Sequence, residues 1–283
     1  MSDRLAVLLQ HALPKQALTA LAGRFASARL GALTQAAIRR FIARYGVDMG
    51  GAANPDIAAY ATFNDFFTRA LQSGARPLAA ADLLCPVDGS ISQFGAVDGD
   101  RIFQAKGHDY TTTALVGGDA ELARPYAGGS FATLYLSPRD YHRVHMPCDG
   151  RLMRMIHVPG ALYSVNPATA RGVPGLFARN ERVVCVFESE RGPFVIALVG
   201  ATIVGSMATV WHGVVNPPRP GRVREWHYGE RDVRLARGAE MGRFQLGSTV
   251  VLLFPSRLSF DAAWAPAGAV RMGQAMAMRQ PPR

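Results

Sequence analysis

Two histidines and one serine are the residues best suited to chemistry in this sequence. His142 and His145 lie in the segment YHRVH, and Ser248 follows Gly247 at the start of the apolar run STVVLLF. An imidazole can act as a general base, and a serine hydroxyl becomes a competent nucleophile when such a base removes its proton. Zinc would need a third protein ligand, and no carboxylate follows the histidines at helical spacing. The three cysteines form no CxxC pair, so no metal site is expected.

Spacing alone makes these residues weak candidates. Histidine pairs are usually structural, glycine-serine dipeptides are abundant, and the serine lacks the GxSxG elbow of the α/β-hydrolases. An aspartate elsewhere could still complete a catalytic triad, because triads are defined by geometry and not by order along the chain. Pro138 and Pro147 bound the histidine segment, which favours strand and turn, with His142 and His145 facing opposite sides.

The elements that must position these residues change in type along the chain. Helical periodicity in the N-terminal third predicts helices over about residues 3–13, 15–25, 31–46 and 55–71. From about residue 84, short apolar or alternating runs are separated by Gly, Pro and Asp, which is typical of a β-rich domain. The sequence therefore predicts an α+β protein, with a helical region over residues 1–75 and a β-rich domain over residues 76–283.

A short pattern occurs twice in the β-rich part. PVDG at residues 86–89 and PCDG at residues 147–150 both precede an apolar run, 61 residues apart. Asp and Gly tolerate the left-handed conformations of tight turns, so each copy predicts a turn that feeds a strand. The repeat indicates a duplicated β-unit, as in barrel-sandwich hybrid folds, or a coincidence between two common turns.

The net charge of +10 is concentrated near the N-terminus, where residues 1–47 hold seven Lys/Arg and a single acid, Asp3. Ile38, Phe41, Ile42 and Tyr45 recur at the spacing of one helical face, with arginines elsewhere on the helix. This pattern predicts either an amphipathic helix lying in an anionic membrane surface or a helix packed on its own domain. Nucleic acid is not an expected partner, because no reader motif is present.

The longest uncharged stretch, residues 192–211, is long enough to cross a bilayer as a helix. Its β-branched residues and its glycines favour two buried strands joined by a bend instead. No secretory signal is recognised at the N-terminus. These features predict a cytoplasmic protein, held at most peripherally to a membrane.

A series of longer motifs resembles the phosphatidylserine decarboxylase family, in its bacterial, membrane-associated proenzyme type with an LGST processing site. The resemblance runs in order from about residue 63 to residue 275. It rests on the strings FFTRALQSGARPL, CPVDGSIS, AKGHDY, YLSPRDYHRVHMPCDGRL, LYSVNP, LFARNERVVCVFES, VGATIVGS, FQLGSTVVLLF and VRMGQ.

The resemblance implies a role for each candidate residue. The chain would cleave itself between Gly247 and Ser248, and Ser248 would become a covalent pyruvoyl cofactor that forms a Schiff base with the substrate. His145, oriented by Asp88, would be the base that activates Ser248, and His142 would assist decarboxylation as a proton donor. The implied reaction converts phosphatidylserine to phosphatidylethanolamine at the cytoplasmic face of the cell membrane, and a homodimer is implied as well.

Cleavage there would give a β chain of residues 1–247 and an α chain of residues 248–283. A 36-residue fragment cannot hold a core alone, so it is expected to remain woven into the β sheet. Three other functions are compatible with the residues: a serine hydrolase with an intact chain, a basic β-domain that only binds anionic membranes, and a pyruvoyl decarboxylase of a small soluble amino acid.

Overall fold

The computed structural model describes residues 14–202, 206–217, 219, 221–245 and 248–279. The helix predicted over residues 3–13 and the cleavage-site residue Gly247 lie outside the described residues. The helices are α1 Lys15–Ser27, α2 Ala32–Tyr45, α3 Phe63–Phe67, α4 Thr112–Leu115, α5 Ala120–Ala123, α6 Pro167–Gly172 and α7 Leu176–Arg179, with 3-10 turns at Ile57–Ala59 and Arg124–Tyr126.

Helices α1 and α2 confirm the predictions over residues 15–25 and 31–46, whereas the helix predicted over residues 55–71 was too long. In that region only the 3-10 turn and α3 are helical. Thr62 caps the start of α3 in a capping box with Asp65. At its other end, the Thr68 hydroxyl donates to the carbonyl oxygen of Asn64 at 2.8 Å, and the chain leaves the helix there. Local side-chain hydrogen bonds thus shorten the helix.

The strands are β1 Leu83–Leu84, β2 Gly89–Ala96, β3 Arg101–Ala105, β4 His108–Thr111, β5 Ser130–Leu136, β6 Arg143–His145, β7 Gly150–Val158, β8 Arg182–Ser189, β9 Gly192–Val199, β10 Ser206–Thr209, β11 Gly213–Asn216, β12 Arg224–His227, β13 Arg234–Leu235, β14 Glu240–Gln245, β15 Ser248–Phe254, β16 Leu258–Phe260, β17 Ala269–Val270 and β18 Ala275–Arg279.

The largest sheet is antiparallel and has the order β12, β7, β8, β9, β15, β5, β2, β17, with β13 also paired to β7. A second sheet has the order β11, β10, β14, β6, a third the order β1, β18, β16, and β3 pairs with β4. Strand β15 lies between β5 and β9, and β17 and β18 pair with β2 and β1. The segment that follows residue 247 is therefore built into sheets formed by the rest of the chain.

The main core surrounds this large sheet. All seven residues of β15 are buried, as are the last six of β9. The uncharged stretch from residue 192 forms β9 and then β10, which confirms the prediction of two strands. In the parts of the chain that the structure describes, no helix combines the length and apolar character needed to span a bilayer.

A separate hydrophobic cluster joins the N-terminal helices. Ile38 of α2 is fully buried with Phe66 and Phe67 of α3, and Phe41 and Ile42 pack against them. The part of the apolar face around Ile38 is therefore packed against the protein itself, as in the second of the two interpretations given for it. Tyr45, at the end of the same face, is 42% exposed.

Both P-x-D-G turns lead into strands of the large sheet, β2 and β7, as predicted. The carboxylate of Asp149 accepts a hydrogen bond from the backbone N–H of Arg237 at 2.7 Å, whereas Asp88 is buried in the site described below. The mixture of helix and sheet confirms the α+β class. The barrel-sandwich relationship of the two units and the boundary at residue 75 stay predictions.

Candidate active site

Ser248 is the first residue of β15, where it pairs with Leu136 at the end of β5. Its side chain is fully buried, and its hydroxyl has no hydrogen-bond partner among the described residues. A buried hydroxyl without a partner costs free energy, and use of the group in a reaction is one physical explanation for such an exception. The hydroxyl of the next residue, Thr249, is also buried without a partner. The position of Ser248 is thus suited to an internal nucleophile.

His142 lies in the segment between β5 and β6, and a hydrogen bond connects it to the residue that follows the strand partner of Ser248. Its Nε2–H donates to the carbonyl oxygen of Ser137 at 3.0 Å, and Ser137 directly follows Leu136, the strand partner of Ser248. The ring stacks on Phe67 of α3, with 4.0 Å between centroids and 22° between planes. Helix α3, in the N-terminal region, therefore forms one wall of the site.

The imidazole of His142 is neutral. Burial lowers its pKa from 6.5 to about 3, and the positive charge of Arg69 adds to this effect. Because Nε2 carries the proton, Nδ1 offers a lone pair, and this buried atom has no partner among the described residues. His142 and Ser248 thus each present one unsatisfied polar atom, although no hydrogen bond joins the two.

His145 ends β6 and is held through both ring nitrogens. Its Nδ1–H donates to the carbonyl oxygen of Gly238 at 2.8 Å, and its Nε2 accepts from the Tyr141 hydroxyl at 3.0 Å. Burial lowers the pKa of His145, so the ring is held as the neutral tautomer with its basic nitrogen at Nε2. Burial also raises the pKa of the Tyr141 phenol, which therefore keeps its proton. Nε2 is the nitrogen of His145 that can accept a proton.

No hydrogen bond or ion pair joins Asp88 to His145 in the described structure. Its carboxylate binds Arg76 in a bidentate ion pair, with 3.0 Å from Nε to Oδ1 and a closer contact from Nη2 to Oδ2, and Oδ1 also accepts the backbone N–H of Met272 at 2.9 Å. The backbone nevertheless keeps the two residues near each other, because the N–H of His145 donates to the carbonyl of Pro86 at 2.9 Å. The charge of Asp88 still acts on His145, where it opposes the lowering of the pKa.

Strand pairing brings the four residues to one end of the sheets. Ser248 pairs with Leu136, and Ser90 of β2 pairs with Tyr135, so the start of β2 lies two strands away from the start of β15. At a strand spacing of about 4.8 Å, this separation is about 10 Å. Gly89 makes the approach possible, because a Cβ at this position would collide with the carbonyl oxygen of Tyr135. A cavity of about 260 Å³ opens beside His145, lined by Arg76, Tyr141, Glu240 and Met272 among others.

Several residues of this site were not singled out from the sequence. Phe67 packs on His142, Arg76 holds Asp88, and Tyr141 and the Gly238 carbonyl hold His145. Arg76 and Tyr141 lie inside strings that carry the family resemblance, but nothing in their type or spacing identified their partners. Among the residues that the structure describes, no three His, Cys, Asp or Glu side chains converge as metal ligands would.

A buried serine hydroxyl without a hydrogen-bond partner, in a fold that also buries two neutral histidines, is suited to nucleophilic acyl chemistry, directed either at a substrate or at the chain itself. The sequence profile of the phosphatidylserine decarboxylase family matches residues 63–278, and a second profile, described as PSD, matches residues 5–46.

Curated relatives match the chain over nearly its whole length. Phosphatidylserine decarboxylase proenzymes of Dechloromonas aromatica and Delftia acidovorans are each 70% identical to it, over 98% and 99% of both chains. The phosphatidylserine decarboxylase proenzyme of Albidiferax ferrireducens is 72% identical over 100% of this chain and 99% of its own. The chain belongs to the phosphatidylserine decarboxylase family.

Proposed function

We propose that this chain is a self-processing decarboxylase that converts phosphatidylserine to phosphatidylethanolamine. The observation that supports the proposal most strongly is the placement of Ser248: a buried, unpartnered hydroxyl at the first residue of a central strand, directly after the proposed scissile bond. Membership of the family, whose close relatives are named as proenzymes, supports it independently.

Processing requires the Ser248 hydroxyl to attack the carbonyl carbon of Gly247. The new C–O bond replaces the C–N bond, His145 Nε2 takes the hydroxyl proton, and the same proton returns to the departing nitrogen of Ser248. Removal of the α-proton of residue 248 then breaks its Cβ–O bond and releases the Gly247 carboxylate, which leaves dehydroalanine. A proton added to the β-carbon converts this enamine to an imine, and water hydrolyses the imine to a ketone and ammonia. Tyr141 occupies His145 Nε2 in the uncleaved chain, so Tyr141 must release this nitrogen or relay the proton.

The role proposed for Asp88 is indirect in the uncleaved chain. Its carboxylate is bound by Arg76 and by the Met272 N–H, while the Gly238 carbonyl fixes the tautomer of His145. Asp88 therefore favours protonation of His145 through its charge, over a distance longer than a hydrogen bond.

The surroundings of Ser248 fit a pyruvoyl group. Because this position is buried and its side chain has no hydrogen-bond partner among the described residues, a ketone there would be reached by a bound substrate and not by bulk water. Such a group supplies the electron sink that permits loss of carbon dioxide. His142 is positioned beside it and is neutral, so it must gain a proton before it can donate one. An anionic substrate in the site raises the pKa of His142 toward that role, because negative charge stabilises the imidazolium.

The processing step is tested by an intact mass spectrum of the purified protein under denaturing conditions. Two chains, cut before residue 248 and with the smaller one blocked at its N-terminus by a ketoacyl group, are expected from the wild type. Ser248→Ala is expected to give the single 30.4 kDa chain and no carbon dioxide from phosphatidylserine vesicles, while Ser256→Ala, in a nearby bend, serves as the control. Cleavage of the Ser248→Ala chain, or activity of an uncut wild type, would contradict the proposal.

We also propose that helices α1 and α2 hold the enzyme peripherally to the cytoplasmic face of the membrane, where its lipid substrate lies. Leu18, Leu21 and Phe25 share one face of α1 and are 38%, 67% and 49% exposed, and Leu33 of α2 is 67% exposed. The same segment, residues 14–47, contains no acid and six basic residues: Lys15, Arg24, Arg29, Arg39, Arg40 and Arg44. Exposed apolar side chains among arginines fit an anionic lipid surface.

Vesicle sedimentation tests this surface. Burying one leucine side chain in the membrane contributes about 1.5 to 3 kcal/mol to the free energy of binding. The double variant Leu21→Gln with Leu33→Gln loses two such contributions, so its binding to phosphatidylglycerol-containing vesicles should weaken by at least about 100-fold. Val223→Gln, at a side chain that is 48% exposed elsewhere, should leave binding unchanged. Binding that resists both the double substitution and high salt would exclude this surface. The homodimer stays a prediction.

A further inference from the structure

Arg69 is a buried arginine without a partner. It follows α3, only 6% of its surface is exposed, and its guanidinium lies over the Phe66 ring at 5.4 Å from the centroid. No carboxylate, carbonyl or hydroxyl among the described residues accepts a hydrogen bond from it. None of its nitrogens is completely enclosed, so a small group can still reach the guanidinium. The carboxylates of Asp88 and Asp48 act on the guanidinium only through their charge, without a hydrogen bond to it. A charge removed from water without a hydrogen-bonded partner is costly, which makes this arrangement unusual.

Three other buried or partly buried arginines among the described residues have hydrogen-bonded partners. Arg76 binds Asp88, and Arg143 binds Glu240 and the carbonyl oxygen of Thr68. Arg182, which is 2% exposed, donates to four backbone carbonyl oxygens. The contrast indicates that the partner of Arg69 is an anion supplied from outside the chain.

Arg69 lies next to the reacting centre. Phe66, below its guanidinium, is followed by Phe67, which stacks on His142, and the His142 ring is bound to Ser137, next to the strand partner of Ser248. An anion held by Arg69 would therefore sit beside His142, within the site proposed for the substrate headgroup.

We propose that Arg69 binds the phosphodiester of the substrate headgroup; this inference rests on the proposed decarboxylase function. The substrate carries two anionic groups, and only the phosphodiester keeps its charge through the reaction. A guanidinium paired with the carboxylate would stabilise the substrate more than the transition state, in which that charge is being lost, and would slow decarboxylation. Binding the phosphodiester stabilises both states equally, so this contact contributes to affinity and does not itself lower the barrier of the chemical step.

Steady-state kinetics of processed enzyme in mixed micelles test the assignment with Arg69→Gln and Arg69→Lys. Loss of a charge-assisted hydrogen-bonded pair should raise KM for phosphatidylserine by roughly 10- to 100-fold in Arg69→Gln. The value of kcat should not fall, because removing this positive charge favours protonation of His142. Arg69→Lys, which keeps the charge but loses the fork of donors, should be intermediate. Arg101→Gln, at an arginine whose side chain is 69% exposed, is the matched control.

Inhibition by soluble headgroups identifies the group that is bound. Glycerophosphoethanolamine contains the phosphodiester, whereas ethanolamine lacks it. In Arg69→Gln and Arg69→Lys, inhibition by glycerophosphoethanolamine should therefore weaken, and inhibition by ethanolamine should stay as in the wild type. An unchanged KM, a fall in kcat alone, or equal weakening for both compounds would overturn the assignment. If Arg69→Gln fails to mature, Arg69→Lys is used for the inhibition measurements. Thermal unfolding of the wild type with each compound then tests the same assignment, which predicts that glycerophosphoethanolamine raises the melting temperature more than ethanolamine does. A wild type that releases no carbon dioxide would instead refute the decarboxylase function.

Discussion

The buried, neutral state of His142 makes the stability of the protein depend on pH in a specific way. Its pKa is about 3 in the folded chain and about 6.5 when the chain unfolds. Between these values the unfolded chain binds the extra proton, so stability is complete above pH 6.5 and falls as the pH is lowered toward 3. At pH 5, which is 1.5 units below 6.5, the loss from this one group is about 2 kcal/mol.

The assay is urea unfolding at pH 7.5 and pH 5.0 of the Ser248→Ala chain, which is expected to remain a single polypeptide. The free energy of unfolding of this parent should fall by about 2 kcal/mol more between the two pH values than that of the same chain carrying His142→Gln. His145, whose pKa is also lowered, adds the same loss to both proteins and cancels in the comparison. His227→Gln, at a side chain that is 75% exposed, serves as the control and should retain the pH dependence of the parent. An equal loss in parent and His142→Gln would refute the burial of a neutral imidazole at this position.

Two further substitutions test how the site is assembled. Asp88→Asn should slow cleavage severely, because the base His145 loses a nearby negative charge that favours its protonation. Carbon dioxide release per cleaved molecule should be unchanged. Quantified gels with activity measurements on the same samples test this, and a fall in both the cleavage rate and the activity per cleaved molecule would indicate a wider role for Asp88. Gly89→Ala should destabilise the fold by about 1 to 3 kcal/mol and impair cleavage, because its Cβ would press on the carbonyl of Tyr135 in β5. Gly23→Ala, in α1 with open space around it, is the matched control, and equal melting temperatures for the two variants would argue against the close approach.

Local features of the fold were predictable from the sequence. The P-x-D-G turns, the two strands after residue 192 and the helices near residues 15–25 and 31–46 depend on turn chemistry, β-branching and helical periodicity, which act between residues close in sequence. The candidate site residues were found through long motifs, and the structure places them at one end of the sheets.

The partners of those residues were decided by tertiary structure alone. The side chain of His145 binds the carbonyl of a residue 93 positions away, and the charge on Asp88 is taken up by Arg76 and the distant Met272 N–H. Likewise, periodicity marked the apolar face around Ile38 but did not show that α3 covers it. A sequence pattern specifies which side chains share a face, whereas the group that meets that face depends on how the whole chain packs. For the same reason, only the packed structure revealed that the Arg69 guanidinium is buried without a hydrogen-bonded partner among the described residues.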